Sequence, residues 1–297
     1  MRCLQLFSRI AVELFCMGIV FAASTVAFAS PQPETVEMKL LVDSSLLQER
    51  SAGWQQLWSA VKKVAIARDI PITEAQQPFK EGCRSIQYLD TEDQRLARQH
   101  YILRKRIKLD KNGLPKKNCD IMLKFRVPEP AASFPAIFEA GSPQPYERDI
   151  VGNIDGRAGN NQAYISQSKS IKKIPVAELM RTADYIGYFP MLQNLLSGPA
   201  TGLQPVHGCT VIEYKIVPGC LHFSSAQVPV TMSYWLDADT QTPIAAEISW
   251  DCAAQPVAVL DAGQQFFTYL QHEMKDFLVR GHLKDDLIQN PVWIGKK

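Results

Sequence analysis

The chain is 297 residues long, with 46% hydrophobic and 21% charged residues, enough for one large domain or two small ones around a sizeable core. Lys and Arg total 32 against 30 Asp and Glu, a formal charge of +2. That balance argues against generic nucleic-acid binding, which relies on net positive charge, and the composition excludes disorder, collagen and coiled coil.

Arg2 and Arg9 precede an apolar run, residues 14–29, that ends Ala27-Phe28-Ala29. This is the pattern of a signal peptide cleaved after Ala29. The run is short for a membrane span, and Glu13 sits at its start. The sequence therefore divides into a signal segment, 1–29, and one domain, 30–297. That domain is expected to be periplasmic or secreted, with no membrane span of its own. Cys3 and Cys16 leave with the signal; Cys83, Cys119, Cys209, Cys220 and Cys252 remain. An oxidising compartment permits disulfides among them, and an odd count leaves at least one unpaired within a monomer. Their connectivity stays open at this level.

The mature chain opens with an alternating strand, 35–42, followed by a helix over 45–68 with Trp54, Leu57, Val61 and Val64 at helical spacing. Pro71 ends it. Strands are predicted over 84–89, 101–109 and 120–127, the last two joined by the turn signal Asp110-Lys111-Asn112-Gly113. Pro128, Pro130, Pro135, Pro143 and Pro145 mark a long loop, 146–150 reads as a short strand, and 152–161 reads as a mobile Gly/Asn-rich stretch. A helix is predicted from Pro175 to about residue 196, kinked or split at Pro190. Three strands follow at 210–217, 230–237 and 244–251. A last helix, 261–280, carries Phe266, Phe267, Leu270, Met274 and Phe277, which are expected to be core. The simplest assembly is α+β, an antiparallel sheet with helices outside.

Side chains alternate across a strand, and here the polar faces are densely charged. The basic set is Lys39, Arg104, Arg106, Lys108, Lys124, Arg126 and Lys215. The acidic set is Glu37, Asp120, Glu147, Asp149, Glu213, Asp237, Glu247 and Asp251. Two assemblies satisfy this pattern. An open sheet would turn the charges to solvent, as charge runs usually do. A curled sheet would turn them inward around a wet tunnel and cover its apolar outside with the helices. Such a tunnel suits a polyanion with a divalent cation.

Specific segments favour the second. Thr35-Val36-Glu37-Met38-Lys39 is similar to a Glu-x-Glu-x-Lys opening, with Thr at the first position. Tyr88-Leu89-Asp90-Thr91, then Leu103-Arg104-Lys105-Arg106, resembles a Tyr-Phe-Asp-Thr segment leading to Leu-Arg-x-Arg. Leu123-Lys124-Phe125-Arg126, Glu147-Arg148-Asp149, Leu236-Asp237 and Ala246-Glu247-Ile248-Ser249 continue the likeness. Together they resemble the CYTH superfamily, the triphosphate tunnel enzymes.

The resemblance implies an eight-stranded antiparallel β-barrel forming a tunnel. It also implies metal-dependent hydrolysis of a triphosphate or inorganic polyphosphate. Carried over residue by residue, Lys39, Arg104, Arg106, Lys124 and Arg126 would grip phosphates, with Lys215 as an addition. Glu37, Glu147, Asp149, Asp237 and Glu247 would hold Mg²⁺ or Mn²⁺ or orient water, and Glu37, Lys39 and Lys124 would carry catalysis. Thr35 and Ser249 stand where the family places acidic residues, which removes oxygen ligands that a hard cation wants. The alternatives are therefore a non-catalytic barrel that binds a phosphate-containing anion, or an exported interaction protein. The expected partner is a phosphate-rich small molecule, and the oligomeric state stays open. Ser170-Ile171-Lys172-Lys173 fits Ser-x-x-Lys but lacks companion motifs. His100, His207, His222, His272 and His282 show no metal spacing.

Overall fold

Eleven strands form one sheet that curls into a ring, in a computed structural model that describes residues 33–128, 145–158, 160–198 and 202–279. The expected signal segment, Pro130, Pro135, Pro143, His282 and the far end of the last predicted helix lie outside the described residues. In chain order the elements are β1 (Thr35–Val42), a 3-10 turn (Ser44–Leu47), α1 (Arg50–Ile66), β2 (Ile72–Glu74), β3 (Gly82–Asp90) and α2 (Arg95–Arg98). Next come β4 (Tyr101–Leu109), β5 (Pro115–Pro128), β6 (Glu147–Arg157), β7 (Asn160–Pro175), α3 (Thr182–Tyr188) and α4 (Leu192–Leu195). The chain continues through β8 (Gln204–Pro205), β9 (Val211–Phe223), β10 (Ala226–Asp237), β11 (Pro243–Ala253) and α5 (Val257–Glu273).

The hydrogen-bonded circuit runs β9-β10-β11-β1-β6-β7-β5-β4-β3 and closes when β3 pairs with β9, from Gly82 opposite Lys215 to Ile86 opposite Val211. Two expectations are corrected here. Nine strands, not eight, complete this circuit among the described residues, and the short β2 and β8 attach to its edges. The ring is also not wholly antiparallel, because β1 and β6 run parallel, with Thr35 opposite Val151 and Lys39 opposite Asp155.

The apolar faces point outward and are buried by helices. Met38 and Leu40 of β1, Met232 of β10 and Trp250 of β11 pack against Trp54 and Trp58 of α1 and Phe266 and Phe267 of α5. A second cluster joins Leu103, Leu123, Phe125 and Ile171 to Leu96, Tyr185, Phe189 and Leu192 of the short helices. Each such large apolar side chain contributes about 1.5–3 kcal/mol when fully buried. The amphipathic helices and the outward apolar strand faces satisfy one another, which leaves the charged strand faces for the interior.

Of residues 152–161, expected to be mobile, 152–157 instead complete β6 and 160–161 open β7. Gly156 is a packing residue rather than a breaker, since a Cβ there would strike the Phe267 ring and Leu40. The strand β7 was hidden because Ser166, Gln167, Ser168, Lys169 and Ser170 are polar on both faces, yet all are buried. The helix expected from Pro175 is split at Pro190 into α3 and α4, and it starts later than expected, after a 3-10 turn, because Pro175 ends β7. The last helix begins earlier than expected and ends at Glu273. The five cysteines from Cys83 to Cys252 are all free thiols.

Helix α5 lies close on the sheet at Gly263, where a Cβ would overlap the Cys252 sulfur and press on Met38. Gly263→Ala is expected to cost about 1–3 kcal/mol by overpacking, read as a lowered urea midpoint. Cys252→Ala in the same chain, by removing the sulfur, should recover most of that loss.

Candidate functional site

The inward faces enclose a cavity of about 200 Å³. Its cationic lining comes from every quarter of the ring. Lys39 enters from β1, Arg84 from β3, Arg104 and Arg106 from β4, Lys124 and Arg126 from β5, and Lys215 from β9. The carboxylates are Glu37, Glu213, Glu247 and Asp251, with Thr231, Ser233 and Ser249 between them. Register explains the convergence. Glu37 faces Asp251 and Lys39 faces Ser249 across β1 and β11, Thr231 faces that Ser249 from β10, and Lys215 faces Ser233. Residues opposite one another on neighbouring strands share a face, so β1, β3, β4, β5, β9, β10 and β11 add their polar sides to the same hollow.

The sequence-derived phosphate set, Lys39, Arg104, Arg106, Lys124, Arg126 and Lys215, is brought together here, as are Glu37 and Glu247. Three residues assigned to a metal are not. Glu147 and Asp149 have the inward parity of Asn153 and Asp155 but precede Val151, where β1 begins to pair, so they sit exposed beyond the end of β1. Glu147 pairs there with Lys172 at 2.5 Å. Asp237 turns into its own β-turn, accepting hydrogen bonds from the Asp239 and Thr240 backbone at 3.0 and 2.8 Å and from the Cys209 thiol at 3.2 Å. A carboxylate satisfied by backbone N–H groups is a structural cap.

Sequence reasoning passed over Arg84, although Arg84, Ile86 and Tyr88 alternate toward the same side as Arg104 and Arg106. Arg84 forms an ion pair with Glu213 across the seam that closes the ring. It also passed over the residues behind Lys39. The Lys39 ammonium lies 2.5 Å from Glu37, 3.0 Å from the Asn153 side-chain oxygen and 3.9 Å from Asp155. Tyr164 donates its hydroxyl to Asp155, and Asn153 donates to Ser166 at 3.0 Å. These residues belong to the strands misread as loop, so only the alternation of Asn153 and Asp155 could have flagged them.

Electrostatics divide the site. Burial alone would lower the Lys39 pKa, but Glu37, Tyr164, Asp155 and Glu247 reverse that and hold it well above the ordinary lysine value. Lys39 is therefore a fixed cation. Burial, helped by Arg126 and Lys39, pushes Lys124 down to about 7. Arg104, with burial and Arg84, pulls Arg106 down to about 9, and burial with Arg104 pulls Arg84 to about 10. Burial and then Arg84 lower Lys215. Across the lumen, burial and the facing Glu37 raise Asp251 to about 6. Like charges thus crowd on the β3-β4-β5 wall, and the Arg104 Nε is buried without a hydrogen-bond acceptor. An anion placed among these groups would relieve both deficits.

No family model and no curated sequence matches the chain. Among solved structures, it aligns with a candidate adenylate cyclase from Bacillus halodurans, at TM-score 0.40 and 14% identity over 84% of this chain and 96% of that one. A candidate adenylyl cyclase from Hippeastrum with a dominant triphosphatase activity aligns at TM-score 0.39 and 12% identity, over 86% and 96%. A candidate adenylate cyclase from Vibrio parahaemolyticus aligns at 0.36 and 12%, over 86% and 99%. All three are distant from this chain.

Crowding of guanidinium groups costs stability in the ligand-free protein. Arg106→Met is expected to raise its thermal midpoint by a few degrees. The same variant should gain less than the parent when tripolyphosphate is added, both read by scanning calorimetry.

Proposed function

We propose that the lumen binds a triphosphate or a short stretch of linear inorganic polyphosphate and, with a divalent cation, hydrolyses its terminal anhydride. The observation that carries this is the arrival of seven cationic side chains from five separate strands in one cavity of about 200 Å³. Polyphosphate presents a negative charge at each phosphorus, and Arg and Lys meet phosphoryl oxygens with short, charge-assisted hydrogen bonds. The cavity is smaller than the ~300–1,000 Å³ of drug-sized pockets. That favours a few phosphate groups over a whole enclosed nucleotide. The expected export of the chain would place this activity outside the cytoplasm.

The residues fit a cation only in one mode. Among the described residues no group of three or more His, Cys, Asp or Glu side chains converges as a metal site. Glu37 and Asp251 do face one another, with Glu247 on the same face of β11. The raised Asp251 pKa reflects desolvation and then the negative charge of Glu37, which outweigh the opposing Lys39, Lys215 and Lys124. Mg²⁺ is commonly held by one or two carboxylates while substrate phosphates complete its shell, and this trio supplies such carboxylates. When bound, Mg²⁺ or Mn²⁺ would neutralise charge on the bridging and leaving oxygens.

The remaining work belongs to the chain itself. Arg84, Arg104 and Arg106 hold one side of the phosphate chain, and Arg126, Lys124 and Lys39 hold the other. Lys39 also fixes Glu37 at 2.5 Å, which leaves that carboxylate oriented to accept a proton from an attacking water. Lys124 is protonated on ligand binding and stabilises the charge that develops on the transferred group. A second reading, an anion-binding lumen without turnover, is favoured by Ser249, which stands among the acidic residues of β11 where a carboxylate would strengthen the cation site.

Isothermal calorimetry with tripolyphosphate and phosphate release with Mg²⁺ or Mn²⁺ separate the two. Binding with release that a chelator abolishes supports hydrolysis; binding without release across metals supports the second reading; no binding refutes both. Lys124→Ala is expected to lower release at least tenfold while the fold remains, as seen by circular dichroism.

The proton balance gives an independent check. Lys124 in the free lumen has a pKa of about 7, and a bound polyanion raises it. Its contribution to binding is complete below pH 7 and is lost as pH rises through the higher value of the complex. At pH 8 binding should therefore take up a proton, seen as a buffer-dependent enthalpy, and Lys124→Met should remove that fraction of the uptake.

A further inference from the structure

The two ends of the ring differ. At one end the inward residues are exposed or half-exposed, among them Asp251, Lys215, Gly82 and Lys108. At the other end most inward residues are buried and those on the β3, β9, β10 and β11 side are largely apolar, while Asp155 is buried and Arg126, Arg157 and Gln162 are half-exposed on the β5, β6 and β7 side. Tyr88, Val211, Trp235 and Ala245 form one cluster there, together with Ile86 just inside it. Leu41 and Tyr164, each 2% exposed, form another with Val279. Strand direction puts these on a common end, because they fall at the finishing ends of β1, β3 and β10 and at the starting ends of β7, β9 and β11. The segment after α5 lies across it. Val279 N–H donates to Leu41 at 3.1 Å, Asp43 N–H donates to Phe277 at 2.7 Å, and Ala158 N–H donates to Val279 at 3.3 Å. Tyr88 and Trp235 also line the cavity, so the plug is its floor.

We propose that the lumen is a blind pocket with one mouth, which takes a linear phosphate chain by its free terminus and cannot thread the interior of a long chain. This rests on the phosphate-binding reading above and narrows its ligand to short linear polyphosphates and the ends of longer ones. An ionised chain gains nothing from crossing the floor, where buried rings replace donors and Asp155 behind Tyr164 adds a like charge. The terminal phosphate, which carries the most charge, stops against Lys39, Lys124 and Arg126, and the rest of the chain leads out past Lys215. A cyclic phosphate has no terminus to insert.

The test uses the full chain in chelator, so that no bond is cleaved. Long polyphosphates of two defined lengths are titrated and the complex mass is read by light scattering. The pocket predicts saturation at two protein molecules per chain at both lengths, and binding at least tenfold weaker for trimetaphosphate and for chains amidated at both ends. Loading that grows with chain length, or capped chains that bind as tightly as uncapped ones, would overturn it. Lys124→Ala serves as the control: loading that survives this change lies outside the lumen and counts against the proposal. Tripolyphosphate is titrated in parallel. If it fails to bind, the phosphate reading itself falls, whereas tripolyphosphate binding with length-dependent loading refutes the blind pocket alone.

Discussion

Confinement of like charge is the condition around which this molecule is built. Arg84, Arg104 and Arg106 share one wall of a closed sheet, where Arg104 lowers the proton affinity of both Arg84 and Arg106 and Arg84 lowers that of Arg106. No isolated sheet would hold them there, since guanidinium groups left to themselves turn to water. They are held because the opposite faces of the same strands are covered by Trp54, Trp58, Phe266 and Phe267. Turning the charges outward would expose that apolar surface, and a period of two residues makes the exchange all or none.

The lumen is not uniformly positive. Lys39 is locked by Glu37, Asn153 and Asp155, and Arg84 is paired with Glu213. Lys124, Arg106 and Lys215, and Arg84 despite its pairing, are held below their ordinary proton affinity. The first group gives the pocket its geometry. The second stores the electrostatic cost that a bound polyanion removes, and such stored cost is how binding sites trade stability for affinity.

Closure of the ring and closure of its floor have different origins. The ring closes through the β3–β9 ladder, where the inward pair is Arg84 and Glu213. The floor closes because the inward positions change character along the strands. Arg84 gives way to Ile86 and Tyr88 on β3, Lys39 to Leu41 on β1, and Ser233 to Trp235 on β10. One face thus carries a charged half that solvates a ligand and an apolar half that stops it.

Alternation alone determined that β1, β4, β5, β10 and β11 have one charged and one apolar face, and alternation together with the motifs marked six of the seven lumen cations, four of them between Tyr88 and Arg126. It could not say which way the charged faces turn, because inward and outward sheets share one pattern. It found only the start of β6 and missed β7, since serine and glycine there pack against other chain segments and carry no hydrophobic signal. It placed Glu147, Asp149 and Asp237 in the site because parity is local. Whether a neighbouring strand lies opposite, or a turn claims the carboxylate, depends on contacts more than a hundred residues away or on backbone N–H groups that only the folded turn presents. The enclosure, the Arg84–Glu213 seam and the blind end were decided by tertiary structure, where pairing across the ring gives each inward residue its neighbours.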